Sequence, residues 1–122
     1  MSNIEKAERP GGLSVEHSMV EGVRVVTVQG EIDHDVKEVL SEALLPRDGT
    51  APPSRIVVDL SGVTFMDSSG INVFVAAHQA VSGNEGWLRI AAAQKPVLHV
   101  LRLVGIDALI TCHPTLEQAL EP

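Results

Sequence analysis

The chain has little with which to build a disulfide framework, a metal centre or an aromatic groove. Its one cysteine, Cys112, leaves no intrachain disulfide and no cysteine-based metal site, and reads as a small buried hydrophobe near a strand end. Tyrosine is absent, and the aromatics are two phenylalanines and one tryptophan. Basic residues are also few: nine Lys and Arg stand against 16 Asp and Glu, for a net charge of −7. A protein that follows a phosphate backbone needs a basic face, so no nucleic acid partner is expected. The acidity suits a partner with a basic surface. No apolar run approaches the ~20 residues that span a bilayer, and the opening MSNIEKAERPGG lacks the apolar core of a signal peptide. The expectation is a soluble, cytoplasmic protein with no membrane association. His17, His34, His78, His99 and His113 are dispersed. Only Asp33-His34-Asp35 cluster, and they read as a solvated turn, so neither metal nor cofactor is expected.

What is present reads as one α/β domain. Residues 1–12 read as a flexible N-terminal arm ending in Pro10-Gly11-Gly12, and residues 13–122 as the domain. Leu13 to Met19 alternates as a first, edge strand, Glu21-Gly22 turns, and the β-branched run Val23 to Val28 is a second strand. Gly30-Glu31-Ile32-Asp33 continues or kinks it. A helix follows over about 35–45, capped by Asp33 or His34, with Val36, Val39, Leu40, Ala43 and Leu44 facing the core. Pro46 to Ser54 is a proline-held loop. Later come a strand over Trp87 to Ala91 and a helix over Gln94 to Val104, with Pro96 in its first turn and Gly105 at its end. In that helix Val97, Leu98, Leu101 and Val104 face inward. A short strand over Leu109 to Cys112 and a last helical turn over Pro114 to Leu120 complete a mixed four- to five-stranded sheet flanked by about four helices.

The chain is organised around Arg55 to Ser82. Ile56-Val57-Val58-Asp59-Leu60 suits a strand buried on both faces. A polar connection, Ser61-Gly62-Val63-Thr64, leads to Phe65-Met66 and then Asp67-Ser68-Ser69-Gly70. From there Ile71, Phe74, Val75, His78 and Val81 or Ser82 recur at helical spacing. Two serine hydroxyls thus sit where a strand hands over to a helix N-terminus, whose partial positive charge and free N–H groups suit a phosphate. Taken alone, Asp-Ser-Ser-Gly is an ordinary helix cap.

The run Val57-Val58-Asp59-Leu60-Ser61-Gly62-Val63, followed by Phe65-Met66-Asp67-Ser68-Ser69-Gly70, resembles the STAS domain family, and within it the bacterial anti-sigma factor antagonists. Gly30-Glu31-Ile32-Asp33 is a second match in the right order and spacing. The resemblance implies a single STAS domain and a protein that is not an enzyme. It makes Ser68 the phosphorylation site and places Asp33, Asp67, Ser69 and Gly70 at the partner-binding face. It implies as partners an anti-sigma factor serine kinase (a histidine-kinase-like ATPase) and a PP2C-type phosphatase, with the chain a monomer or weak dimer. Asn72, Ala76 and Gln79 fall on one outward stripe of the helix after Ser68, which either extends that face or is an ordinary solvated stripe. Members of the family often carry glycine or another small residue where this chain has Asn72.

Other chemistries fit less well. Met66-Asp67-Ser68-Ser69-Gly70 lacks the first glycine of the hydrolase nucleophile elbow, and no histidine is tied to Ser68. Asp59 and Lys95-Pro96 suggest a receiver domain, but the acidic pair at the first parallel strand is missing. The competing class keeps the fold without the switch: a STAS adaptor subunit of a transport or scaffold complex, in which Ser68 is only a cap or a docking contact.

Overall fold

A computed structural model describes residues 13–45, 55–83 and 86–121, with the backbone of Ala7 and Glu8. The Pro46–Ser54 loop lies outside the described residues, as do Asn84 and Glu85 and most of the N-terminal arm. The strands are β1 (Ala7–Glu8), β2 (Ser14–Val20), β3 (Val23–Ile32), β4 (Arg55–Met66), β5 (Trp87–Ala91) and β6 (Thr111–His113). They form one mixed sheet in the order β1-β2-β3-β4-β5-β6, every strand beside its sequence neighbour. The two-residue β1 adds an outer strand to the four or five expected: it lies inside the stretch read as a flexible arm, and β2, expected at the edge, is paired on both sides. β1 is antiparallel to β2, and β2 to β3, while β3, β4, β5 and β6 run parallel.

The helices are α1 (Lys37–Leu44), α2 (Ser68–Ser82), α3 (Lys95–Leu103) and α4 (Leu116–Ala119). The main core joins Val26, Val28 and Ile32 of β3 to Ile56, Val58 and Leu60 of β4. Leu40 and Leu44 of α1, Phe74 and Ala77 of α2, and Val97 and Leu101 of α3 close over them. Phe74 is fully buried, a burial worth about 2–3 kcal/mol. A smaller cluster on the opposite face packs Val23, Val57 and Ala91 under Ala119 of α4. The sheet is therefore lopsided, with α4 alone in that second cluster.

The expected strands and helices are present, with four local departures. Ser61-Gly62-Val63-Thr64 is not a loop: β4 runs unbroken for 12 residues, because Val63 and Met66 bury against the core. The register against β3 absorbs the extra length by shifting twice, between Thr27 and Gln29 and between Gly30 and Glu31. In α2 the inward face is Ile71, Val73, Phe74, Ala77 and Val81, while Val75 and His78 are half-buried. Val104 is exposed, since α3 ends at Leu103 and Gly105 turns the chain away in the left-handed conformation. The last strand starts at Thr111, because Ile106–Ala108 form a 3-10 turn that leaves Leu109 outside the sheet.

Candidate functional site

Parallel strands bring their C-terminal ends to one edge, and there the two sequence motifs meet. Ile32 pairs with Met66, and the Asp67 N–H donates to the Ile32 carbonyl at 3.0 Å. Asp33 and Asp67 therefore leave adjacent strands side by side, and each starts a helical segment in the same way. The Asp67 carboxylate accepts from the Ser69 N–H at 2.8 Å and caps α2. The Asp33 carboxylate accepts from the Asp35 N–H at 3.0 Å and caps the 3-10 turn His34–Val36 that leads into α1. Of the two caps the sequence allowed here, Asp33 or His34, it is Asp33.

With Asp67 as the cap, Ser68 is left with another position: it is the first residue of α2 and is exposed. Its hydroxyl makes no hydrogen bond among the described residues. Ser69 is half-buried and Gly70 buried. Gly70 is required by close approach: a Cβ there would stand 2.7 Å from Met66 Sδ and 2.9 Å from Ile32 Cγ2. The absence of a side chain lets the first turn of α2 sit directly on the ends of β3 and β4, fixing Ser68 above the edge. Asn72, Ala76 and Gln79 are all exposed on α2, so the stripe drawn from helical spacing is an open face continuous with Ser68.

The charge at this edge is mainly acidic, with Lys37 at the start of α1 the next cation along the chain. Glu31, Asp33, Asp35 and Asp67 lie on it or border it, and neither 29–36 nor 56–82 contains a lysine or arginine. Asp59, further back on β4, is occupied by its own backbone, its carboxylate accepting from the Ser61 N–H at 2.9 Å. Gln94 ties the start of α3 to the same strand by donating to the Ser61 carbonyl at 2.8 Å. Among the described residues no group of three His, Cys, Asp or Glu side chains is placed to hold a metal ion.

Two features escaped sequence reasoning. Phe65 is 49 % exposed beside Ser68's end of the strand, although its apolar character alone would assign it to the core. At the other end of the parallel strands a cavity of about 300 Å³ is lined by Glu21, Val23, Arg55, Trp87 and Leu120, far from the serines. Cys112 is half-buried. Burial, then the Asp107 carboxylate, raises its thiol above the ordinary value of 9.0, partly offset by Arg102. No helix of the described residues is long and apolar enough to cross a membrane.

The family model described as "STAS domain" matches residues 14–119. The chain is 30% identical over 100 residues to the anti-sigma-B factor antagonist of Staphylococcus aureus, covering 80% of this chain and 90% of the relative. It is 28% identical over 113 residues to the anti-sigma-F factor antagonist RsfB of Mycobacterium tuberculosis, covering 91% and 89% of the two chains. The crystal structure of an anti-sigma factor antagonist from Mycobacterium paratuberculosis superposes with a TM-score of 0.82 at 29% identity, covering 93% of this chain and 96% of that one.

Proposed function

The chain belongs to the STAS domain family, and from that premise we propose that it is an anti-sigma factor antagonist switched by phosphorylation of Ser68. Unphosphorylated, it docks on an anti-sigma factor that is also a histidine-kinase-like ATPase, and the bound sigma factor is released. The docking face comprises Asp33, Asp67, Ser68, Ser69 and Gly70, with Asn72, Ala76 and Gln79 along α2. Ser68 is substrate rather than catalyst: the kinase supplies ATP, Mg²⁺ and the group that receives the hydroxyl proton. The phosphoryl adds about −1.5 to −2 charge at neutral pH, next to Asp67. The added bulk and the cost of desolvating that charge at a close-packed face then separate the partners. The fold survives, because a phosphate at the first turn of α2 faces the favourable end of the helix dipole. A PP2C-type phosphatase resets the protein.

The observation that carries this reading is the division of labour between Asp67 and Ser68. A serine before a helix is ordinarily its cap, yet here the aspartate caps and the exposed hydroxyl is left free to react. The names of the relatives supply the partner class.

The test is affinity capture from the native cells with wild-type chain and Ser68→Asp in parallel, the retained proteins being identified by mass spectrometry. A histidine-kinase-like ATPase held by wild type and lost with Ser68→Asp supports the switch. Transporter subunits held equally by both would replace it with the constitutive adaptor.

A further inference from the structure

Phe65 is the aromatic that the fold puts outside. Phe74 is wholly buried and Trp87 is half-covered, whereas Phe65 is 49 % exposed. One exposed apolar side chain is ordinary on a protein surface. What distinguishes Phe65 is how the backbone brings it there. Val63 pairs with Gly30 and Phe65 with Glu31, so β4 spends one residue more than β3 over this step, and Thr64 is the extra residue. Val63 and Met66 both face the core while Thr64 and Phe65 between them are exposed. The bulge has re-aimed Phe65 outward, as bulges beside functional sites do. Across from it, Gly30 takes φ +115°, which a side chain would resist. The Thr64 hydroxyl reaches the Gly30 carbonyl at 3.5 Å.

Register partners on neighbouring strands present their side chains to the same face, so exposed Glu31 flanks Phe65. Asp33 and Asp67 follow just beyond the ends of the same two strands, with Asp35 beyond. An exposed ring rimmed by carboxylates, with no lysine or arginine in 29–36 or 56–82, has one complementary surface: an apolar socket bordered by Lys and Arg. Aromatic side chains seated in such sockets dominate interface energies, with the charged rim setting approach and orientation.

We propose that Phe65 is the apolar anchor of the docking face, inserted into a socket on the anti-sigma factor that is rimmed by basic side chains. The ring, the acidic rim and Ser68 then form one footprint, continuous with the α2 stripe. This inference rests on the partner class proposed above. It adds that affinity resides at the strand edge and that Ser68 lies beside the anchor, so the bulk and desolvation cost of a phosphoryl there unseat the anchor despite the basic rim.

The experiment measures binding of the purified cognate anti-sigma factor, with ATP left out so that Ser68 stays unphosphorylated, to wild type, Phe65→Ala, Phe65→Trp and Glu31→Lys. Phe65→Ala is expected to weaken binding at least tenfold while the melting temperature stays within a few degrees, and Phe65→Trp to restore most of it. Glu31→Lys is expected to weaken binding at low salt, less so as salt rises. It also decides the matter if Phe65→Ala fails to fold. Affinity within twofold of wild type for folded Phe65→Ala, or for Glu31→Lys at low salt, overturns the anchor and leaves the switch standing. Wild type that does not bind the anti-sigma factor at all overturns the function on which it rests.

Discussion

At the scale of single residues, the site is built from side chains that are small, acidic or missing, and each makes a separate prediction. Gly70→Ala forces Met66 and Ile32 apart from a Cβ at 2.7–2.9 Å. It should cost about 1–3 kcal/mol in urea unfolding, even though alanine favours the helix. Asp67→Ala removes the α2 cap and should cost about 1 kcal/mol. Ser68→Ala, by contrast, should leave stability unchanged within about 0.5 kcal/mol, bind the partner, and take no phosphate from kinase and ATP by intact-mass measurement. Cys112 gives a pH signature. Its folded thiol holds its proton above the ordinary value of 9.0, so the folded state binds more protons than the unfolded one as pH rises past that value. Stability should therefore fall from about pH 9 upward, and alkylation of Cys112 by iodoacetamide at pH 8 should run slower in the folded than in the urea-unfolded chain. Much of this residue-level picture was legible in advance: the acid-serine-serine-glycine sequence marks a helix start whatever the protein does. Which residue caps was not, because aspartate and serine are near-equal caps, and only the closing of Asp67 on the Ser69 N–H settles it.

At the scale of elements, hydrophobic periodicity located α1, α2, α3 and the central strands. It failed where burial and local polarity disagree. Ser61-Gly62-Val63-Thr64 has the composition of a loop, yet forms strand because its neighbour β3 continues beside it and accepts the pairing. Composition reports what a segment prefers alone, and a sheet edge supplies partners that composition does not know of. The inward face of α2 shifted by part of a turn for a related reason: apolar Ala77 lies buried against the sheet, as Phe74 does, whereas the polar imidazole of His78 stays half-buried. The C-terminal α4 is held by a tether that no sequence pattern announces. Arg89 stacks on the Trp87 ring, 3.8 Å from its centroid, and donates to the carbonyls of Ala119 at 2.9 Å and Glu121 at 2.6 Å. Arg89→Lys keeps the charge but loses the planar fork. Amides of α4 should then exchange with deuterium faster, while those of β4 and α2 stay protected.

At the scale of the whole molecule, charge and topology act together. A net charge of −7, concentrated in part along one strand edge, should make association with a basic partner faster at low ionic strength, and stopped-flow mixing across a salt series checks this. The strictly sequential strand order has a consequence of another kind. From β2 onward, each strand joins beside the one made before it, and none has to be threaded between two that are already paired. A chain leaving the ribosome can therefore assemble its sheet in the order of its synthesis, each new segment finding a finished edge waiting. The serine edge is complete once α2 has emerged, while the carbonyls that Arg89 grips, those of Ala119 and Glu121, are made only after β5 and α3. Between those moments a nascent chain would already display the proposed docking surface, before α4 has latched onto the opposite side of the sheet.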